Sequence, residues 1–164
     1  MSTTAAAAPL TVDDQAVAPE LQGFSHLGLT VADLDRAVDF WCTVMGFRCV
    51  IQAEDLCMVW QPEARLAIGL TTHGGSAVGS FDEGRVGLDH LALAVQDLPT
   101  LEAWVLRFDE LSVQHSSITQ TDAGHHLNVR APDAIAIELF VIGGDFASSV
   151  LGVEVGTGSA DTHH

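Results

Sequence analysis

The 164-residue chain contains no lysine and no tyrosine. Without lysine there is no side chain for a Schiff base, and none for the cationic end of a P-loop. Without tyrosine, one common acid–base group is missing. Six arginines stand against 22 acidic residues, for a formal net charge of −16. A field of that sign repels phosphate backbones and anionic lipid, so neither nucleic acid nor a membrane surface is expected as a partner. No apolar run approaches the roughly 18–20 residues of a membrane span. The start, MSTTAAAAPLTVDDQ, lacks the basic end and long apolar segment of a secretory signal, which points to the cytoplasm. Cysteine is scarce. Cys42, Cys49 and Cys57 form no CxxC or zinc-ribbon spacing, and with apolar flanks they read as buried free thiols.

What the chain has is apolar content and a repeat. Hydrophobic residues make up 48% and mean hydropathy is +0.28, enough to build one compact core. Residues 25–34 read SHLGLTVADL and residues 89–98 read DHLALAVQDL. His26/His90, Leu27/Leu91, Leu29/Leu93, Val31/Val95, Asp33/Asp97 and Leu34/Leu98 are identical pairs. Further on, LAIGL (66–70) matches IAIEL (135–139), which sets Gly69 opposite Glu138.

The local patterns agree with a duplication. Residues 24–31 alternate as a strand, and Asp33 caps a helix over 34–45 that Gly46 ends. Strands are expected at 47–53, 56–61 and 65–72. A Gly-rich linker spans 73–86, and the second unit repeats the order. It has a strand at 88–95, a helix capped by Asp97, and strands at 112–119, 125–130 and 135–143, the last two joined by a turn at APDA. The fold class is α+β, with one domain over 23–143 built from two βαβββ modules (23–72 and 87–143). Residues 1–22 and 144–164 read as mobile tails.

Alternation places Leu27, Leu29 and Val31 under the first helix, and His26, Gly28 and Thr30 on the opposite face. His90, Ala92 and Ala94 match the latter set. Glu138 lies on the corresponding face of the last strand. If the modules pair, both histidines and the glutamate converge on one concave surface. A partly buried Glu needs compensation, and in a chain without lysine a divalent cation at His26, His90 and Glu138 supplies it. On the hairpin before the last strand, His126, Asn128 and Arg130 face the same way. His126 is the candidate general acid–base, or else a surface residue beside His125. Arg130 either orients a substrate carboxylate or braces the turn. His73 lies too far along its strand to replace a ligand at Gly69, but reaches the mouth of the cup. Met58 and Trp60 alternate on the third strand as candidate floor of an apolar pocket, with their face undecided. Trp41, Met45 and Trp104 belong to the core.

These paired first strands and the final IELF resemble the vicinal oxygen chelate superfamily of glyoxalases, bleomycin-resistance proteins, fosfomycin-resistance transferases and extradiol dioxygenases. The resemblance implies two βαβββ modules curled into a cup around one divalent metal ion (Fe, Mn, Zn or Ni), with His26, His90 and Glu138 as ligands and Glu138 also catalytic. It implies a small oxygenated substrate on which the metal acts as a Lewis acid, in lyase, isomerase or epimerase chemistry or, given the missing tyrosine, less readily in ring cleavage. The alternative it offers is a non-catalytic drug- or ligand-binding protein. Glyoxalase-like members carry a fourth ligand where this chain has Gly69. The Arg-Asp-Pro-Asp-Gly turn usual in the family here reads Arg130-Ala131-Pro132-Asp133-Ala134. The modules pair either within one chain or between the chains of a homodimer, which would set His26 against His90 and Glu138 of a second copy.

Overall fold

The computed structural model describes residues 19–150, which form two sheets of four strands, each backed by a helix. In the first module β1 (Leu27–Thr30) leads through the Asp33 cap into α1 (Leu34–Asp39). Then come β2 (Arg48–Gln52), β3 (Leu56–Gln61) and β4 (Leu66–Thr71), in the sheet order β1-β4-β3-β2. The second module repeats this with β5 (Leu91–Ala94), α2 (Leu98–Glu110), β6 (Thr119–Thr121), β7 (Gly124–Arg130) and β8 (Ala136–Ile142), in the order β5-β8-β7-β6. In both, the first strand runs parallel to the last and the remaining pairs are antiparallel. The parallel pair needs a crossover, and the helix provides it.

Both helices start as their sequences dictate. The Asp33 carboxylate accepts from the Arg36 amide at 3.0 Å, and the Asp97 carboxylate from the Thr100 amide at 2.9 Å. Each satisfies one of the donors that a helix start leaves orphaned. The single helix expected over 34–45 is instead an α-helical turn followed by a π segment at Phe40–Val44. There the Met45 amide reaches back five residues to the Phe40 carbonyl. Trp41 in this segment is buried, and Phe40 and Phe47 meet it edge-on at 5.8 and 5.1 Å. Gly46, at φ 76°, closes the segment in a conformation that suits glycine.

One core runs through both modules. Trp41, Val59, Ile68 and Leu70 fill the helix side of the first sheet, and Leu101, Phe108, Leu127, Ile137 and Leu139 that of the second. Met45 is buried with them, whereas Trp104 is half-exposed. The modules are tied by Arg107 near the end of α2, which donates to the carbonyls of Val44 (2.8 Å) and Thr43. They are tied again by Asp133, whose carboxylate accepts from the Ala32 amide at 2.8 Å and whose carbonyl accepts from Phe81.

Three expectations are corrected. The strand expected at 112–119 shrinks to β6 at 119–121 plus one bridge between His115 and Val129, because 111–118 instead carries the chain off α2. The tail expected from 144 begins with a further helix, α3 (Gly144–Val150), whose Ala147 is buried; residues 151–164, like residues 1–18, lie outside the described part. The cysteines are not uniformly buried: Cys57 is, Cys42 is half-buried, and Cys49 is exposed.

His115 pins the stretch after α2 with both ring nitrogens, Nδ1 to the Ser116 carbonyl (2.7 Å) and Nε2 to Asp109 (3.2 Å). Both acceptors want a proton, so the imidazolium fits best. The Ser116 carbonyl, and after it the Asp109 carboxylate, raise the His115 pKa above its ordinary value. A raised folded-state value means stability that is fully present below the unfolded value of about 6.5 and is lost as pH climbs through the folded one. His115→Gln should therefore lower the melting temperature more at pH 5.5 than at pH 8. Equal losses at the two pH values would show that the ring is held uncharged.

Candidate metal centre

The face of each sheet away from its helix carries the candidate residues. On β8, buried Ile137 and Leu139 point to the helix, which turns Glu138 to the open side. There its side chain keeps 14% of its exposure. Two histidines close on it. His126 of β7 places Nδ1 2.7 Å from Glu138 Oε1, and its Nε2 lies 2.7 Å from the Thr121 hydroxyl. A carboxylate only accepts, so the proton of His126 sits on Nδ1 and Nε2 accepts from Thr121. The ring stacks on Phe140 at 4.6 Å. His126 is thereby held from three sides, and it fixes the carboxylate.

His90, just before β5, presents Nε2 to the other oxygen, Glu138 Oε2, at 3.6 Å. That is too long for a hydrogen bond. It is close to the roughly 3.4 Å that separates two ligand atoms each ~2.1 Å from a tetrahedral ion. The Nδ1 of His90 lies 2.5 Å from the Asp89 carboxylate. With its proton on that side, Nε2 keeps a free lone pair, the arrangement in which a second carboxylate orients a ligating imidazole. His90 Nε2 and Glu138 Oε2 thus face one another, each with its side chain held from behind.

Asp89 and Thr121 do not follow from residue-type patterns. The only pointer to Asp89 is the repeat, since Ser25 stands before His26 as Asp89 stands before His90. Ser25 Oγ indeed lies 3.2 Å from His26 Nδ1.

His26 is where the structure departs from the expected convergence. It is exposed, and it lies beyond 4 Å of the Glu138 carboxylate. Among the described residues no three His, Cys, Asp or Glu side chains form a group that could hold a metal ion. Within one chain the set is divided, with His90 and Glu138 on one module and His26 on the other. The modules are packed through Arg107 and Asp133, and among the described residues no strand of one sheet is hydrogen-bonded to the other.

The remaining candidates sort by register. Met58 pairs with Gly69 and Trp60 with Ala67, while Cys57 and Val59 between them are buried. Met58 and Trp60 therefore lie on the open face. Gly28 pairs with Gly69 as Ala92 pairs with Glu138. The vacancy inferred at Gly69 is thus the structural equivalent of Glu138. His73 reaches across to Thr30, with Nε2 3.0 Å from its hydroxyl, at the end of the open face. Asn128, exposed, is the β-ladder partner of Glu138. Arg130 is engaged elsewhere, by both guanidinium nitrogens with Glu83 of the linker and by Nη1 with the Ala134 carbonyl at 3.1 Å. The guanidinium holds the Glu83 carboxyl down at about 2. These contacts tie Arg130 to the linker and to the turn at 131–134. A groove of about 650 Å³ between the modules is lined from the helix side by Met45, Phe47, Leu91, Leu93 and Trp104 among others, and holds none of the histidines or Glu138.

Residues 23–139 match the family described as the glyoxalase/bleomycin resistance protein/dioxygenase superfamily, and the chain belongs to it. Among solved structures, a glyoxylase/bleomycin resistance protein/dioxygenase domain from Frankia sp. EAN1pec is 27% identical, with a TM-score of 0.68 over 76% of this chain and 94% of that one. A lactoylglutathione lyase from Agrobacterium tumefaciens is 19% identical, with a TM-score of 0.62 over 75% and 96%. An antibiotic-binding protein from Streptomyces sp. CB03234 is 17% identical, with a TM-score of 0.58 over 76% and 100%. No curated protein matches the sequence.

Proposed function

We propose that the chain is a divalent-metal-dependent enzyme of the vicinal oxygen chelate type, acting on a small oxygenated substrate, and that its site is completed by a second copy of the chain. The observation that supports this is the pair of free donors, His90 Nε2 and Glu138 Oε2, each fixed from behind by Asp89 or His126. Imidazole and carboxylate together suit Fe, Mn, Zn or Ni. When bound, such an ion supplies Lewis acidity toward adjacent substrate oxygens. The protein's own residues do the rest. His90 and Glu138 hold the ion from one chain and His26 from the other, in a homodimer whose modules face each other across the two-fold axis. His126 fixes the Glu138 carboxylate and returns it to one position after any proton transfer. Met58 and Trp60 give the substrate an apolar floor, while Asn128 and His73 offer it polar contacts from either side. Lyase, isomerase or epimerase chemistry fits this set better than ring cleavage, because no tyrosine is present.

A non-catalytic role in sequestering a drug is the second reading. It is favoured by the net charge of −16, which attracts a cationic guest, and by the half-buried Met58 and Trp60 on the open face.

Metal analysis of the purified protein separates the two readings. About one tightly held equivalent per chain is expected, with occupancy falling on acidification because protons compete with a metal ion for its ligands. Metal-free protein that still captures a guest would favour sequestration. Complementation then tests the shared site. His26→Ala and Glu138→Ala chains, each unable to hold metal alone, should recover about a quarter of the wild-type sites when refolded together in equal amounts. Half of the dimers are then mixed, and each mixed dimer has one intact site of two. No recovery would place all three ligands in one chain.

A further inference from the structure

Away from the open face, the three cysteines come together at the edge of the first sheet. Cys57 lies on β3, pointing to the helix and fully buried, and Cys49 lies on the edge strand β2. The two positions are not direct partners. Cys49 opposes Val59 and Gln52 opposes Cys57, with a β-bulge between Cys49 and Ile51. Such a bulge adds one residue to one strand and sharpens its local twist. Here it leaves the Cys49 and Cys57 sulfurs 3.1 Å apart. That is about 1 Å longer than the ~2.05 Å of a disulfide.

We propose that Cys49 and Cys57 are a redox-active dithiol that a hydroperoxide converts reversibly into an intramolecular disulfide. The two thiols have different parts. Cys49 is exposed on an edge strand and is the one a peroxide can reach. Cys57 is shielded from it. Burial, with the neighbouring Cys49 sulfur as second cause, pushes the Cys57 thiol up to about 12, so it persists as a protonated reserve. Cys49, exposed where Cys57 is buried and held as a thiol, is therefore the first to react. Its sulfur attacks the outer oxygen of the hydroperoxide, the O–O bond breaks, and the alcohol or water leaves. Cys49 becomes a sulfenic acid. The Cys57 sulfur then attacks the Cys49 sulfur, and the S–O bond breaks. The departing hydroxide takes the Cys57 proton and leaves as water. Two thiols have given two electrons, and one hydroperoxide has become an alcohol and water.

The position favours a labile bond over a structural one. The loop it closes is short, so little chain entropy is removed from the unfolded state. The exposed Cys49 also leaves the bond open to an incoming thiol, and accessible disulfides are the reducible ones. Cys42 completes the cluster but differs in role. It is half-buried on the helical segment, and burial raises its pKa. The sulfur contact in the cluster is that of Cys49 with Cys57, at 3.1 Å.

The test uses the whole reduced chain, equimolar hydrogen peroxide, alkylation in denaturant and peptide mapping. Two of the three thiols should disappear, with the Cys49 and Cys57 peptides linked, Cys42 alkylated, and all three thiols recovered after dithiothreitol. Cys42→Ser should leave the reaction intact, and Cys49→Ser should abolish it. Survival of all three thiols, a link to Cys42 or between chains, or Cys49 halted as a sulfinate beside an alkylatable Cys57 would each overturn the proposal. The mapping of the unaltered chain decides this even where a variant folds poorly.

Discussion

Glu138→Gln should retain the fold and lose the metal. The amide oxygen of glutamine can still accept from His126 Nδ1, now 2.7 Å from Oε1, so the side chain keeps its place between β7 and β8. What it loses is the charged donor facing His90 Nε2 at 3.6 Å. Removing a partner that merely orients a ligand costs about 10–100-fold in metal affinity. Removing the ligand itself should cost more than that, and any activity with it. His126→Ala, which removes the orienting partner, should fall within that 10–100-fold range. The order of the two variants is the informative quantity, measured as bound metal after dialysis together with the melting temperature. If His126→Ala empties the site and Glu138→Gln does not, the imidazole is the ligand and the carboxylate its support.

Gly69→Glu should do the opposite and tighten the site. A Cβ at Gly69 would meet only the Leu27 carbonyl and the Met58 terminal methyl, both at 3.9 Å, an ordinary contact. The backbone there is regular strand, and a strand-interior glycine costs roughly 0.5–1 kcal/mol relative to alanine, so the fold should tolerate the change. Because Gly28 pairs with Gly69 as Ala92 pairs with Glu138, the new carboxylate would stand to His26 as Glu138 stands to His90. The exchanged site would then have two histidines and two carboxylates. Affinity for zinc or manganese, read by calorimetric titration, should rise at least tenfold, roughly the worth of one good additional interaction of 1.4 kcal/mol. Turnover that needs an open coordination position should fall. A variant that folds, binds metal no better and retains its turnover would place residue 69 away from the ion.

Much of this was legible because a duplication doubles every signal. The pairs Asp33/Asp97 and Leu34/Leu98 marked both helix starts, and both aspartates cap in the structure through the amide three residues on. Alternation along 66–70 and 135–139 assigned the open faces of β4 and β8, since a strand offers only two faces and one is apolar. Met58 and Trp60 resisted the same reasoning because the strand around them is apolar on both sides. Their face followed only from the register with β4. The π segment at Phe40–Val44 was hidden because its apolar spacing also suits an ordinary helix. The strand expected at 112–119 failed because strand-like composition does not supply a partner.

By itself the sequence determined the two βαβββ modules, the residues that look away from the helices, and the sign of the field around them. All of these depend on neighbours close along the chain, through capping, periodicity and charge count. Only the tertiary structure decided that His126 and Asp89 stand behind Glu138 and His90, that Arg130 is spent on Glu83, and that His26 lies apart from the other two. It alone also brought Cys49 against Cys57. Each of these depends on how strands register and how modules pack, and a bulge of one residue or the choice of module interface changes them without altering any local pattern.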